Sequence, residues 1–284
     1  MFKCRLAEFV LALGIFLVTS HAAVTGRPLD EVVASKVLRI AVYIDNAPFS
    51  WMDGESAKGI DVDIGKALAR RLGISAEIIT RMTGESVDDD LRFNIWKGPV
   101  GEGGIADVML HVPVDRELMA RNNLAVIGNT YFEQHVALAI DSSRVPRDAT
   151  FEIFRKEKVG VQFSTSADYF LMRFDDGALI NNVVHYTNVA DGVRQFLSHQ
   201  TVALLGVKSN LEGVLHDQGH TAVFIEPPMP GITLKSWKIG TAVKENSRDL
   251  GYAIGRALDD MRADGELERI CASYGVTFTP PSAD

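Results

Sequence analysis

Cysteine is nearly absent from this 284-residue chain: Cys4 and Cys271 are the two it has, too few for a disulfide framework. Clusters of lysine and arginine are lacking as well. The chain carries 29 basic against 37 acidic residues and a formal net charge of −8, which argues against nucleic acid and anionic membrane surfaces as partners. No polar low-complexity tract occurs. With 46% hydrophobic and 23% charged residues, the composition is that of a globular protein. There is no G-x-S-x-G elbow, no H-E-x-x-H pair and no cysteine beside an obvious base. The chain therefore reads as non-catalytic, with no cofactor and no metal site.

Long hydrophobic runs are also missing, apart from Phe9 to Val18. That run is ten residues, against about 20 needed to span a bilayer. Lys3 and Arg5 precede it, and Ser20-His21-Ala22 supplies a small-residue cleavage pattern. Residues 1–23 thus read as a signal peptide, and the mature protein is expected in the periplasm with no membrane insertion after cleavage. Cys4 lies before the apolar run, so it is not placed to become a lipidated N-terminus. Cys271, near the end of a helical pattern, reads as a small buried apolar group.

What is present is an alternation of strands and helices. Val37–Tyr43, Ala76–Thr80 and Asp107–Pro113 read as strands, with helices over Asp61–Leu72, Asp88–Gly98 and from Asp115 to Arg121. The alternation recurs further on. Strands at Lys158–Val161, Val183–Tyr186, Val202–Leu205 and Ala222–Ile225 are interleaved with helices opening at Ser164-Thr165-Ser166, over Ala190–Ser198 and over Ser209–His216. A strand at Trp237–Val243, a long helix over Arg248–Ala263 and a last one over Glu266–Tyr274 close the chain. Strands separated by helices mean an α/β fold with mainly parallel sheets, and two such runs suggest two similar lobes.

Several stretches carry a family resemblance. Leu38-Arg-Ile-Ala-Val-Tyr43, Ala47-Pro-Phe-Ser-Trp51 and the helix start Gly59-Ile-Asp-Val-Asp63 occur in that order. Val159-Gly-Val-Gln-Phe-Ser-Thr165 and the tail from Trp237 to Ile270 follow. Together they resemble extracellular solute-binding protein family 3. The resemblance implies a two-lobed periplasmic binding protein, type II-like, each lobe a mainly parallel sheet flanked by helices. Lobe 1 would cover residues 36–138 and 238–276, lobe 2 residues 139–237, with a tail at 277–284. The chain would cross between lobes near 136–148 and 235–240, with a small-molecule ligand in the cleft and an ABC permease as partner. Asp90–Gly98 and Ala106–Arg116 are similar to the quinoprotein-dehydrogenase-associated branch, which includes the J accessory protein of periplasmic methanol dehydrogenase systems. That branch implies a periplasmic quinoprotein dehydrogenase as partner instead.

Residue by residue, the resemblance places Tyr43, Phe49 and Trp51 as aromatic ligand contacts. It places Arg116 as a guanidinium fork for a carboxylate, and Ser164, Thr165 and Ser166 as donors at a helix N-terminus. His111, near the cleft end of its strand, is either a core residue or a ligand contact. Where amino-acid binders of the family hold the ligand ammonium with an Asp, this chain has Val207, and Lys208 follows with the wrong sign. An ammonium without an anion in a closed cleft would cost several kcal/mol, so an ordinary α-amino acid is not the expected ligand. Asp61/Asp63 and Asp88-Asp-Asp90 read as acids at helix starts rather than cation ligands. Gly219 separates His216 from His220 and breaks the helix that would align them. Gly98–Gly104 reads as a surface loop. Glu133 and His135 form the one acid/base pair of interest for a cleft enzyme such as a dehydratase, and are read first as hydrogen-bonding the hinge.

Overall fold

The computed structural model describes residues 26–99, 104–232 and 235–283. The expected signal peptide and residues 100–103 of the glycine-rich stretch lie outside the described residues. The first half runs α1 (Leu29–Ser35), β1 (Val37–Tyr43), and three short strands, β2 (Asp45–Asn46), β3 (Ser50–Asp53) and β4 (Ser56–Lys58). Next come α2 (Ile60–Arg71), β5 (Ser75–Arg81), α3 (Val87–Leu91), which continues as a π-helical turn at Arg92–Trp96, β6 (Val108–Pro113) and α4 (Arg116–Arg121). A 16-residue strand, β7 (Ala125–Ile140), leads into the second half. There follow β8 (Val159–Gln162), α5 (Ser166–Arg173), β9 (Val183–Tyr186), α6 (Val189–Leu197), β10 (Ala203–Val207), α7 (Lys208–Asp217) and β11 (Val223–Ile225). The chain returns through β12 (Ser236–Lys244), α8 (Arg248–Ala263) and α9 (Glu266–Ser273).

The strands form an order β5-β1-β6-β12-β7 at one end and β7-β10-β8-β9 at the other, with β11 also paired to β7. The pairings β5·β1·β6 and β10·β8·β9 are parallel, as the alternation of elements predicts. β12 is antiparallel to both β6 and β7, so β6 and its parallel neighbours run the same way as β7. β10 is antiparallel to β7. The C-terminal ends of the two parallel sets therefore face each other, the arrangement in which α/β sheets hold ligands. β6 ends at Pro113, level with Ile239 and, through it, with Phe132, whereas β10 ends at Val207, level with Val136. Four residues of β7 separate those levels, about 13 Å at about 3.3 Å per residue.

Each half has its own core on both sheet faces. In the first half, Ile64 and Leu68 of α2, Ile254 and Leu258 of α8, and Leu267 and Cys271 of α9 cover one face. Leu91, Ile95 and Leu118 cover the other. In the second half, Phe151, Phe154 and Leu171 pack on one face and Val193, Phe196, Leu211 and Leu215 on the other. Trp237 touches a core of each half. Sequence reading did not find β7, because Glu133, Gln134 and His135 interrupt its apolar pattern. It also missed α1 and the small β2–β4 sheet, which are too short to show a period.

The halves touch through α7 and the tail. A Cβ on Gly213 would lie 2.8 Å from Cβ of Pro48. Thr277 donates its N–H and hydroxyl to the Glu212 carboxylate at 3.1 and 2.8 Å. Beyond it, Glu133 N–H donates to the Thr279 carbonyl at 3.0 Å, and Ser282 N–H donates to Glu133 Oε2 at 2.7 Å. Gly213→Leu should raise the intrinsic helix propensity of α7 by up to about 1 kcal/mol yet keep the halves apart. Small-angle scattering should then give a larger radius of gyration for a still folded chain; superimposable curves would refute the contact. Burial pushes the Glu212 carboxyl above its ordinary 4.5, against the smaller opposing effects of Thr277 and Lys208. Such a group binds more protons folded than unfolded, so stability falls as pH rises from 4.5 through the raised value. Relative to wild type, Glu212→Gln should gain Tm as pH climbs through that window, and parallel Tm profiles would refute this.

Candidate functional site

The end of β8 turns into α5 through Phe163, Ser164 and Thr165. Ser164 has φ 63, a left-handed conformation, and its N–H donates to Oδ2 of Asp168 at 2.8 Å. Thr165 is the N-cap: Oγ1 accepts from the Asp168 N–H at 3.2 Å and the hydroxyl donates to the Gln162 carbonyl. Asp168 also holds His185 Nε2 at 2.8 Å. Beside this turn lies a cavity of about 80 Å³ at the C-terminal ends of β8 and β10. Its polar lining comes from Gln162, Thr165, Ser166, Tyr186 and Asn210, with Leu205, Val207 and Trp237 among the apolar walls. Ser166 and Ala167, in the first turn of α5, are in that lining, and a helix leaves the N–H groups of its first turn without internal acceptors. No acidic or basic residue lines the cavity. Its volume suits a molecule of a few heavy atoms.

Across the gap the first half is built differently. α2 begins at Gly59, whose φ of 126 brings its backbone against the Phe49 carbonyl, where a Cβ would lie 2.2 Å away. Ile60 and Asp61 N–H donate to the Pro48 and Phe49 carbonyls at 3.1 and 2.8 Å, so loop oxygens close this helix end. Asp61, fully buried, accepts from the Tyr131 hydroxyl at 2.6 Å and lies 2.9 Å from His111 Nδ1. Tyr43, at the end of β1, donates its hydroxyl to buried Asp90 at 2.8 Å. Burial first, then Asp90, pushes the Tyr43 phenol upward, so it remains a donor.

Of the residues singled out in the sequence, the structure gathers Thr165 and Ser166 at the cavity, with Ser164 in the adjoining turn. It gathers Tyr43, Phe49 and His111 in a second cluster: Phe49 is fully buried with its ring centroid 4.5 Å from His111, and Tyr43 lies at 6.4 Å. Trp51 sits apart on β3, edge-on to Tyr274 at 5.7 Å. Arg116 is exposed at the start of α4, outside both clusters. His135 lies 3.3 Å from Glu226 and 3.9 Å from Glu133, on the stretch of β7 between the halves. Among the described residues no group of three or more His, Cys, Asp or Glu side chains could hold a metal ion. Cys271 is buried, and burial pushes its thiol up to about 12. Sequence reading missed Gln162 and Asn210; only their places, at a strand end and in the first turn of a helix, hinted at them. Larger depressions, of about 990, 870, 520 and 470 Å³, are lined by second-half residues alone, the first two around Arg194 and around Tyr169.

Residues 38–93 match the family model of bacterial extracellular solute-binding proteins, family 3. No curated protein matches the chain by sequence. Among solved structures, an ancestral cationic amino acid solute binding protein aligns at 20% identity and a TM-score of 0.67, covering 87% of this chain and 99% of its own. A polar amino acid ABC uptake transporter substrate binding protein from Streptococcus thermophilus aligns at 15% identity and a TM-score of 0.70, covering 89% and 90%. Substrate binding domain 2 of GlnP from Lactococcus lactis, in its open conformation, aligns at 20% identity and 0.63, covering 84% and 95%. At such identities the likeness is one of fold. By sequence over residues 38–93 and by fold over 87% of its length, the chain is similar to the family 3 bacterial extracellular solute-binding proteins.

Proposed function

We propose that the chain is an exported, periplasmic solute-binding protein whose two lobes, 36–138 with 238–276 and 139–237, close on a small carboxylate-bearing ligand. The observation that carries this reading is the cavity where the C-terminal ends of β8 and β10 face the first half, lined by the first turn of α5 and by no charged side chain. Helix N–H groups favour an anion there. The solved relatives bear titles naming amino acids, yet this chain offers Val207 and Asn210 on the wall where a ligand ammonium would need a carboxylate. An ordinary α-amino acid is therefore disfavoured and a simple organic acid favoured. Thr165 and Ser166 hold the carboxylate, with Ser164 shaping their turn. Tyr43, Phe49, Trp51, His111 and Arg116 form the facing side, and an ABC permease receives the loaded protein.

A thermal-shift screen of the mature protein against organic acids and amino acids tests this. A ligand at 100 times its Kd that binds only the folded state should add about 2.7 kcal/mol, visible as a raised Tm. Ser166→Phe, which fills the cavity, should abolish the shift. A shift with α-amino acids in place of organic acids would overturn the ligand class. No shift with any acid would overturn the reading altogether and point to protein contact, for which co-purification with a quinoprotein dehydrogenase is the next experiment.

A further inference from the structure

β6 is not a regular strand where it nears the gap between the halves. Gly240 and Ala242 of β12 pair with Val112 and Met109, so two residues of β6, Leu110 and His111, stand opposite the single Thr241. This is a β-bulge, a device that re-aims a side chain. His111 takes φ 61 in it, a conformation a non-glycine residue adopts only when its surroundings enforce it. The surroundings do so at three points. Its N–H donates to the Tyr131 hydroxyl oxygen at 2.9 Å, its Nδ1 lies 2.9 Å from Oδ2 of Asp61, and the Phe49 ring packs edge-on against the imidazole.

The chemistry of this arrangement fixes the imidazole. Tyr131 donates to Oδ1 of Asp61 at 2.6 Å, and burial, then Asp61, pushes its phenol well above the ordinary value, so Tyr131 keeps its proton. A carboxylate has only lone pairs to offer, so in the neutral imidazole Nδ1 carries the hydrogen. Nε2 is left with a lone pair. Among the described residues it has no hydrogen-bond partner, and the side chain keeps 14% of its surface exposed. That exposure leaves Nε2 open to a ligand or to water. A bulge, a left-handed backbone and a buried carboxylate converge to hold one acceptor at the end of the sheet that faces the second half.

We propose that His111 is the specificity-determining residue of the first half, accepting at Nε2 a hydrogen bond from the hydroxyl of a small hydroxy acid whose carboxylate sits at the start of α5. The proposal rests on the carboxylate reading above. It adds a second requirement: the ligand must donate toward the first half while it accepts from the second.

Matched pairs test it: lactate against propionate and glycolate against acetate, titrated into the mature wild-type protein by calorimetry. A site built around a hydroxyl group rejects the analogue lacking it, so the hydroxy acid of a pair should bind at least about 10-fold tighter. His111→Phe should level the pair while leaving carboxylate binding in place. Independently of any ligand, ¹⁵N spectra of the wild-type imidazole should show the Nδ1–H form, and Asp61→Asn should shift it. Equal binding within each pair, or an Nε2–H form, overturns the proposal and leaves the carboxylate site standing. Failure of every acid to bind overturns both.

Discussion

One strand must serve two sheets, and most of the architecture follows from that. The start of β7 is the outer strand of the first half, paired on one side with β12; its end is an inner strand of the second, between β10 and β11. At the change of partners, Glu133, Gln134 and His135 face β12 alone. Polar side chains are tolerated there because each finds a partner: Gln134 accepts from the Ser209 hydroxyl at 2.6 Å, and Glu133 is held by Ser282. Trp237, opposite Gln134, supplies the apolar surface that joins the two cores. Under the function proposed above, opening and closing of the two lobes would concentrate on this two-strand bridge.

The same economy shows in how each half treats buried charge. An aspartate in the first turn of a helix meets a histidine on a neighbouring strand twice: Asp61 with His111, and Asp168 with His185. Burying a carboxylate costs several kcal/mol unless its lone pairs are met. Asp61 is met by Tyr131 and His111, and Asp168 by the Ser164 and His185 donors. The two pairs use opposite nitrogens, however. His111 gives Nδ1 from a bulged, mostly covered position, whereas His185 gives Nε2 from an edge strand with 34% of its side chain exposed. The first pair is held at both Asp61 oxygens, by Tyr131 and by His111. The second steadies the turn that carries Ser164 and Thr165.

The elements legible in the sequence were those whose signal is local. Arg248–Ala263 shows a clean helical period with Leu250, Ile254, Leu258 and Met261 inward, and its ends fall where the pattern places them. Thr165 could be placed as a cap because side-chain capping acts over three residues. β7 was illegible for the opposite reason: the residues that make it a bridge break its hydrophobic run. The Asp61–His111 contact spans 50 positions and depends on a bulge that only the partner strand reveals. Asp61 reads in the sequence as an ordinary acid at a helix start, and His111 as either a core residue or a ligand contact. The family resemblance suggested Arg116 as the carboxylate clamp; its side chain stands exposed at the start of α4, outside both clusters. Further hydrogen-bonding capacity lies on either side of the gap between the halves.

That capacity is unequal across the gap, and the inequality constrains any ligand. In the first half, loop carbonyls of Pro48 and Phe49 occupy the N-terminus of α2, so this helix end offers no free donors at Ile60 and Asp61. In the second half, the first turn of α5 keeps donors toward the cavity, because Asp168 and Thr165 satisfy only the Ser164 and Asp168 N–H groups. Donors on one wall and an acceptor on the other fit a molecule with a carboxylate at one end and a hydroxyl at the other. A second carboxylate would meet the Nε2 lone pair and, behind it, the buried Asp61 charge. An ammonium would find Val207 and the apolar wall of Leu205 and Trp237. On the reading proposed above, selection would rest on what each side of the gap leaves unpaired, and the bulge in β6 is where the first half presents His111.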